Sequence, residues 1–279
     1  MGSHHPSGAD RPRVFAALAF LVLVAACSGS GAAPSSSASV AGPVELTVFA
    51  AASLTDVFTD LGAAFEASHP SVRIVFSFDA SSTLRAQIEQ GATVDLVASA
   101  DEENPRRLVA AGLAAGPPTV FARNRLAVIL PATNPGGLAD PYGLAQPGVR
   151  VIAAGADVPI TRYATRLLAD LAASSGAGAG FIAANESNVV SREASARSVL
   201  TKVELGEGDA AIVYATDAAS AGDQVKVLPL RPGVDVLTAY AAVVPQDAPR
   251  PDLAAELLTW LSGPAARAIF ARSGFLAPK

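Results

Sequence analysis

The stretch that most constrains this chain is Thr47–Phe58, TVFAAASLTDVF. Val44–Phe49 reads as a buried strand and Ala50–Ala52 as a turn of small residues. A helix then opens at Ser53, with apolar residues at Leu54, Val57, Phe58, Leu61, Ala64 and Phe65 in the i, i+3, i+4, i+7 spacing of one helix face. Ser53 followed by Asp56 resembles a capping box, with Asp where Glu or Gln is usual. A strand feeding a helix through small residues leaves free backbone N–H groups beside a hydroxyl, at the end of a dipole worth about half a positive charge. Two readings stay open at this point: a serine that caps a helix, or a serine that helps to hold an anion.

The same grammar recurs downstream. Val72–Phe78 (VRIVFSF) is β-branched and aromatic, hence a strand. A hydroxyl cluster follows (Ser81, Ser82, Thr83), then LRAQIEQ as a helix and Gly91 where it should stop. Val94–Ser99 is a third strand, and residues 101–112 form a short helix with Pro105 suited to its first turn. His69-Pro70 ends the first helix, and His69 reads as an exposed turn residue rather than a catalytic base. Strands alternating with helices predict an α/β domain with a largely parallel sheet. Ligands of such sheets sit beyond the carboxyl ends of the strands, where Ser53 and the Ser81/Ser82 pair both fall. A second set of this kind spans roughly 125–235. It has strands at Leu126–Leu130, Val149–Ala153, Ala210–Tyr214 and Val225–Leu228, with helices from Pro159 and from Ser195, a plausible cap. A longer β-like run (Val236–Val244) and two helices, Leu253–Leu261 and one ending near Arg272, complete the chain.

The N-terminus reads as a targeting segment. Arg11 and Arg13 precede a 13-residue apolar run, Val14–Ala26, too short to span a bilayer and suited to a signal-peptide core. The chain's single cysteine, Cys27, follows directly in LVAAC, which resembles a bacterial lipobox; a plain secretory signal with an incidental cysteine is the other reading. Residues 1–26 are therefore expected to be a signal peptide, and 27–43 a lipidated cysteine with an uncharged Ser/Gly/Ala-rich tether. A net charge of −5 gives no footing for a nucleic-acid partner.

Taken together, VFAAASLTDVF (48–58), SSTLRAQIEQGATVDLVASAD (81–101), VPITRYA (158–164), GDAAIVYATDA (208–218) and GPAARAIFARSGF (263–275) resemble the periplasmic molybdate-binding protein family, the substrate-binding subunit of molybdate ABC importers. The resemblance covers nearly all of residues 44–279. It implies a two-lobed type II periplasmic binding protein, each lobe a mixed sheet flanked by helices, with the ligand in the cleft. The expected lobes are 44–124 with 240–279, and 125–239. It also implies that an oxyanion, molybdate or tungstate, is held by Ser53 and Ser81 (with Ser82 as substitute), by the Tyr214 phenol, and by backbone N–H groups near Ile160 and Ala196. No cofactor is implied. The implied partner is an ABC permease, and the implied state is a monomer anchored by lipid to the outer face of the cell membrane.

A molybdate-like dianion offers only acceptor oxygens, so a site built of donors suits it. Neutral donors and helix dipoles avoid the several kcal/mol that burying a lysine or arginine costs. Asp79 departs from the family pattern, since a small residue is expected two positions before Ser81. It either points away or caps, or it faces the cleft and repels a dianion. Sulfate or phosphate remains the alternative ligand. A hydrolase is disfavoured, because no G-x-S-x-G elbow or His/Cys cluster is present and His69 is the sole histidine beyond the expected signal segment.

Overall fold

The structure, a computed structural model, describes residues 42–278. The expected signal peptide, Cys27 and the tether up to residue 41 lie outside the described residues. Strand β1 (Val44–Ala51) runs into one turn of 3-10 helix and then helix α1 (Thr55–Ser68). There follow β2 (Val72–Asp79), α2 (Ser81–Glu89), β3 (Leu96–Ser99), α3 (Glu103–Ala110) and a long β4 (Thr119–Pro131). Next come β5 (Val151–Ala154), α4 (Pro159–Ser175), α5 (Ala179–Ser187), β6 (Val189–Glu193), α6 (Ala196–Glu204), β7 (Ala210–Tyr214) and α7 (Ala215–Ser220). The chain ends with β8 (Val225–Leu228), β9 (Leu237–Val243), α8 (Pro251–Leu261) and α9 (Pro264–Arg272).

The strands hydrogen-bond in the order β2-β1-β3-β9-β4-β7-β5-β6, with β8 also on β4. Two parallel groups result, β2-β1-β3 and β7-β5-β6. Between them β9 and β4 pair antiparallel with each other and with their outer neighbours, so the sheet is mixed rather than largely parallel. The chain passes from one group to the other along β4 and returns along β9. Strands that carry it in opposite senses between the same two groups must lie antiparallel.

β4 starts seven residues before the expected Leu126, because Arg123, Asn124 and Arg125 interrupt the apolar run that marks a strand. They are accommodated by specific partners: Arg123 pairs its backbone with Leu276, and Asn124 is buried and hydrogen-bonded through its side chain. The partner of β4 changes from β9 to β7 between Arg125 and Leu126, next to the boundary expected between the lobes.

The apolar face foreseen for α1 is buried at Val57, Phe58, Leu61 and Phe65. Phe58 packs on Phe76, Phe121 and Phe270, joining α1 to β2, β4 and α9. At the far end of α1, Phe65 meets the edge of Trp260 with ring centroids 5.5 Å apart. His69 stacks on Phe65 and its Nε2 lies 3.0 Å from Glu256. It is thus engaged at the opposite end of α1 from Ser53.

Candidate functional site

Six strands deliver their carboxyl ends to one small cavity. From the first group come Ala51, Ala52 and Ser53 after β1, Ala80 and Ser81 after β2, and Ala100 after β3. From the second come Val158 and Pro159 after β5, Ala196 after β6, and Tyr214 at the end of β7. The cavity is small, about 10 Å³, close to the least that holds one water-sized group. No charged side chain borders it.

Four helices start at this cavity: α2 at Ser81, α4 at Pro159, α6 at Ala196 and α7 just after Tyr214. The 3-10 turn before α1 adds a fifth set of unpaired N–H groups. Each start supplies donors without an intrahelical acceptor and a fraction of a positive charge. The alanines around it keep the backbone accessible to a ligand. Such an arrangement favours an anion although no cation is present.

Ser53 does not cap α1 as the sequence pattern suggested. The 3-10 turn Ala52–Leu54 intervenes, Leu54 stands at the cap position, and no side chain caps the helix. The Ser53 hydroxyl, 6 % exposed, instead lies 3.1 Å from the Tyr240 hydroxyl. Ser81 Oγ accepts the Ala100 N–H at 3.0 Å, which leaves its own proton free to donate. Tyr214 is buried, and its hydroxyl has no hydrogen-bond partner among the described residues. An orphaned buried hydroxyl costs about 1–3 kcal/mol, so this one fits a ligand that accepts. Burial raises the Tyr214 pKa well above that of an ordinary phenol, and the group stays a donor. Its ring lies 5.5 Å from that of Tyr240, centroid to centroid.

Ala196 opens α6, whose cap is Ser195, with Oγ accepting the Ser198 N–H at 3.2 Å. Ile160 is not among the residues that border the cavity. Its side chain turns into a separate space of about 80 Å³ beside β5, and Val158 and Pro159 form the wall. Pro159 has no N–H, so the Ile160 N–H is the first that α4 offers, and it has no intrahelical acceptor. Ser82 faces a different pocket, together with Arg85 and Asp101.

Asp79 is absent from the cavity wall, and its Oδ1 accepts the Ala80 N–H at 2.6 Å. Asp101, buried just past β3, is satisfied by Ser99 Oγ at 2.9 Å, Asn104 N at 3.0 Å and Arg162 Nη2 at 2.6 Å. The Arg162 contact ties α4 of the second strand group to the first. Arg197 of α6 does the same through Asp56 of α1, at 2.6 Å.

A larger cavity of about 350 Å³ shares Ser53 but is also bordered by Asp56 and Asp217. Arg272 also borders it, so its wall carries both signs of charge, unlike the uncharged wall of the smaller cavity. Among the described residues, no three His, Cys, Asp or Glu side chains cluster as a metal site would require.

Sequence reasoning missed Tyr240, Asn124 and Thr216, the hydrogen-bonded polar group beneath Ser53. The available signal was a tyrosine inside an otherwise apolar strand, since a buried phenol needs a partner.

The family described as bacterial extracellular solute-binding protein matches residues 46–276. The chain is 36% identical over 253 residues to the molybdate-binding protein ModA of Mycobacterium tuberculosis, covering 91% of this chain and 92% of that one. The Azotobacter vinelandii periplasmic molybdate-binding protein superposes with a TM-score of 0.67 at 24% identity, over 84% of this chain and 100% of that one. The sulfate-binding protein SubI of M. tuberculosis gives a TM-score of 0.72 at 24% identity, over 83% of this chain and 86% of that one. The chain belongs to the family of bacterial extracellular solute-binding proteins that includes the ModA molybdate-binding proteins.

Proposed function

We propose that this protein captures molybdate, and tungstate with it, outside the cytoplasm and delivers it to an ABC permease. Ser53, Ser81 and Tyr214 supply hydroxyl donors, and the helix starts at Ile160 and Ala196 supply backbone N–H groups. The observation that carries the reading is the convergence of six strand ends, from two parallel groups, on a cavity with three hydroxyls and no charged side chain. A fully ionised tetrahedral dianion can accept at every oxygen and needs no acceptor from the protein.

Capture is by closure. The anion binds the first strand group, the second closes over it, and only the ligand's extra affinity for the closed arrangement drives the change. Residues 44–124 with 240–279 form one lobe and 125–239 the other. Cys27 carries the lipid that holds the protein, as a monomer, at the outer face of the membrane.

Sulfate is the second reading, favoured by the superposition on SubI and by the same demand for donors. A thermal-shift series on the domain from Gly42 onward, with molybdate, tungstate, sulfate and phosphate, separates the two. At 100 times its dissociation constant a ligand stabilises by about 2.7 kcal/mol, a shift of roughly 5–10 °C at this size. Molybdate and tungstate should give it and Tyr214→Phe should shrink it. A shift with sulfate alone would overturn the molybdate assignment.

A further inference from the structure

A serine hydroxyl can meet a ligand as donor or as acceptor, and the groups behind it decide which. Behind Ser53 they form a buried chain. Asn124 Oδ1 accepts the Arg125 N–H at 2.8 Å, which fixes the amide so that Nδ2 faces inward. There Nδ2 donates to Thr216 Oγ1 at 2.8 Å and to Tyr240 Oη at 3.4 Å. With an amide hydrogen directed at its oxygen, the Tyr240 phenol cannot send its own proton to Asn124. Its other hydrogen-bond neighbour is Ser53 Oγ at 3.1 Å. Tyr240 is fully buried, which raises its pKa well above that of an ordinary phenol and keeps the proton in place. Ser53 therefore accepts from Tyr240, and its single proton is left for the cavity. Ser81 reaches the same state more directly, through the Ala100 N–H.

We propose that Tyr240, oriented by Asn124, is a positioning residue that turns the Ser53 proton toward the cavity, so that Ser53 meets an oxyanion as a donor. Monohydrogen phosphate carries the same charge as molybdate but must place a proton on an acceptor. With its proton turned to the cavity, Ser53 meets that P–O–H group donor to donor, and such a mismatch is a source of discrimination. This rests on the reading of the Ser53 cavity as the oxyanion site.

The test compares molybdate with inorganic phosphate by competition calorimetry at about pH 8, where phosphate is mainly the monohydrogen dianion, so that charge effects cancel in the ratio. Tyr240→Phe removes the donor to Ser53. Asn124→Asp replaces the inward donor by an acceptor and reverses the direction of the Tyr240 proton. Both variants should lose molybdate affinity and gain phosphate affinity, narrowing the ratio about tenfold, a change of ~1.4 kcal/mol. A purely structural role would weaken both anions by one factor, and that result, or an unchanged ratio in the variant that folds, overturns the proposal. Ser53→Ala separates the two levels. If it leaves molybdate binding intact, the oxyanion-site reading fails; if it weakens molybdate while the ratio in Tyr240→Phe stays put, the positioning role alone fails.

Discussion

Asp217 sits three residues past Tyr214, 1 % exposed, with its Oδ2 unpartnered among the described residues. Burial pushes its pKa up to about 7, against the pull of Arg197 and with some help from the Asp56 and Glu204 carboxylates. An acid whose folded pKa lies above its unfolded value keeps its proton longer when folded. Its contribution therefore favours the fold at low pH, and stability declines as pH rises from about 4 to about 7, then levels off. The loss is on the order of a few kcal/mol at most. Asp217→Asn should flatten this decline and unfold at higher denaturant than the parent at about pH 8, with little difference at about pH 4. Parallel pH profiles for the two proteins would remove Asp217 as the cause.

Among the elements, α6 shows how a cap can serve a site. Ser195 Oγ satisfies the Ser198 N–H, and the first residue of the helix, Ala196, borders the cavity. Ser195→Ala should cost about 1 kcal/mol of stability and also weaken molybdate binding, as read by denaturant melts and calorimetry on the same samples. A stability loss with unchanged affinity would separate the cap from the site. Ser195 was legible in the sequence because a capping hydroxyl before an apolar helix face is a local pattern. The strand ends bearing Ser53, Ser81 and Tyr214 were legible for the same reason. The α1 start was not, since the extra 3-10 turn that carries Ser53 away from the cap has no signature in residue spacing. Helix α5 and strand β6 went unread because glycines precede the one and β6 is a short strand at the sheet edge, with none of its five residues buried. Tyr240 escaped because its role depends on Ser53, 187 residues away.

At the scale of the whole molecule, the two strand groups are joined covalently by β4 and β9 and across the cavity by Arg162–Asp101 and Arg197–Asp56. Asp101 still accepts four hydrogen bonds, from Ser99 and Asn104, if Arg162 is lost, and the Arg162 side chain is 53% exposed. Arg162→Ala should therefore change global stability by less than ~1 kcal/mol. It removes a contact made between the groups, so the closed arrangement is disfavoured and molybdate should dissociate about fivefold faster in stopped-flow chase experiments. An unchanged dissociation rate would mean that this pair does not hold the closed form together.

The aromatic residues divide in a way that gives the protein two built-in chromophores with separate duties. Trp260, the chain's only tryptophan, lies against Phe65 at the far end of α1, while Tyr214 borders the cavity and Tyr240 packs against it just beneath Ser53. Twelve residues of helical rise put Phe65 about 18 Å from Ser53. Molybdate should therefore perturb tyrosine absorbance and near-ultraviolet dichroism while the tryptophan emission maximum stays fixed, and unfolding should move both. An emission maximum that shifts on adding anion would mean that the far end of α1 senses the cavity. If it stays fixed, the unlabelled protein reports occupancy and folding at different wavelengths.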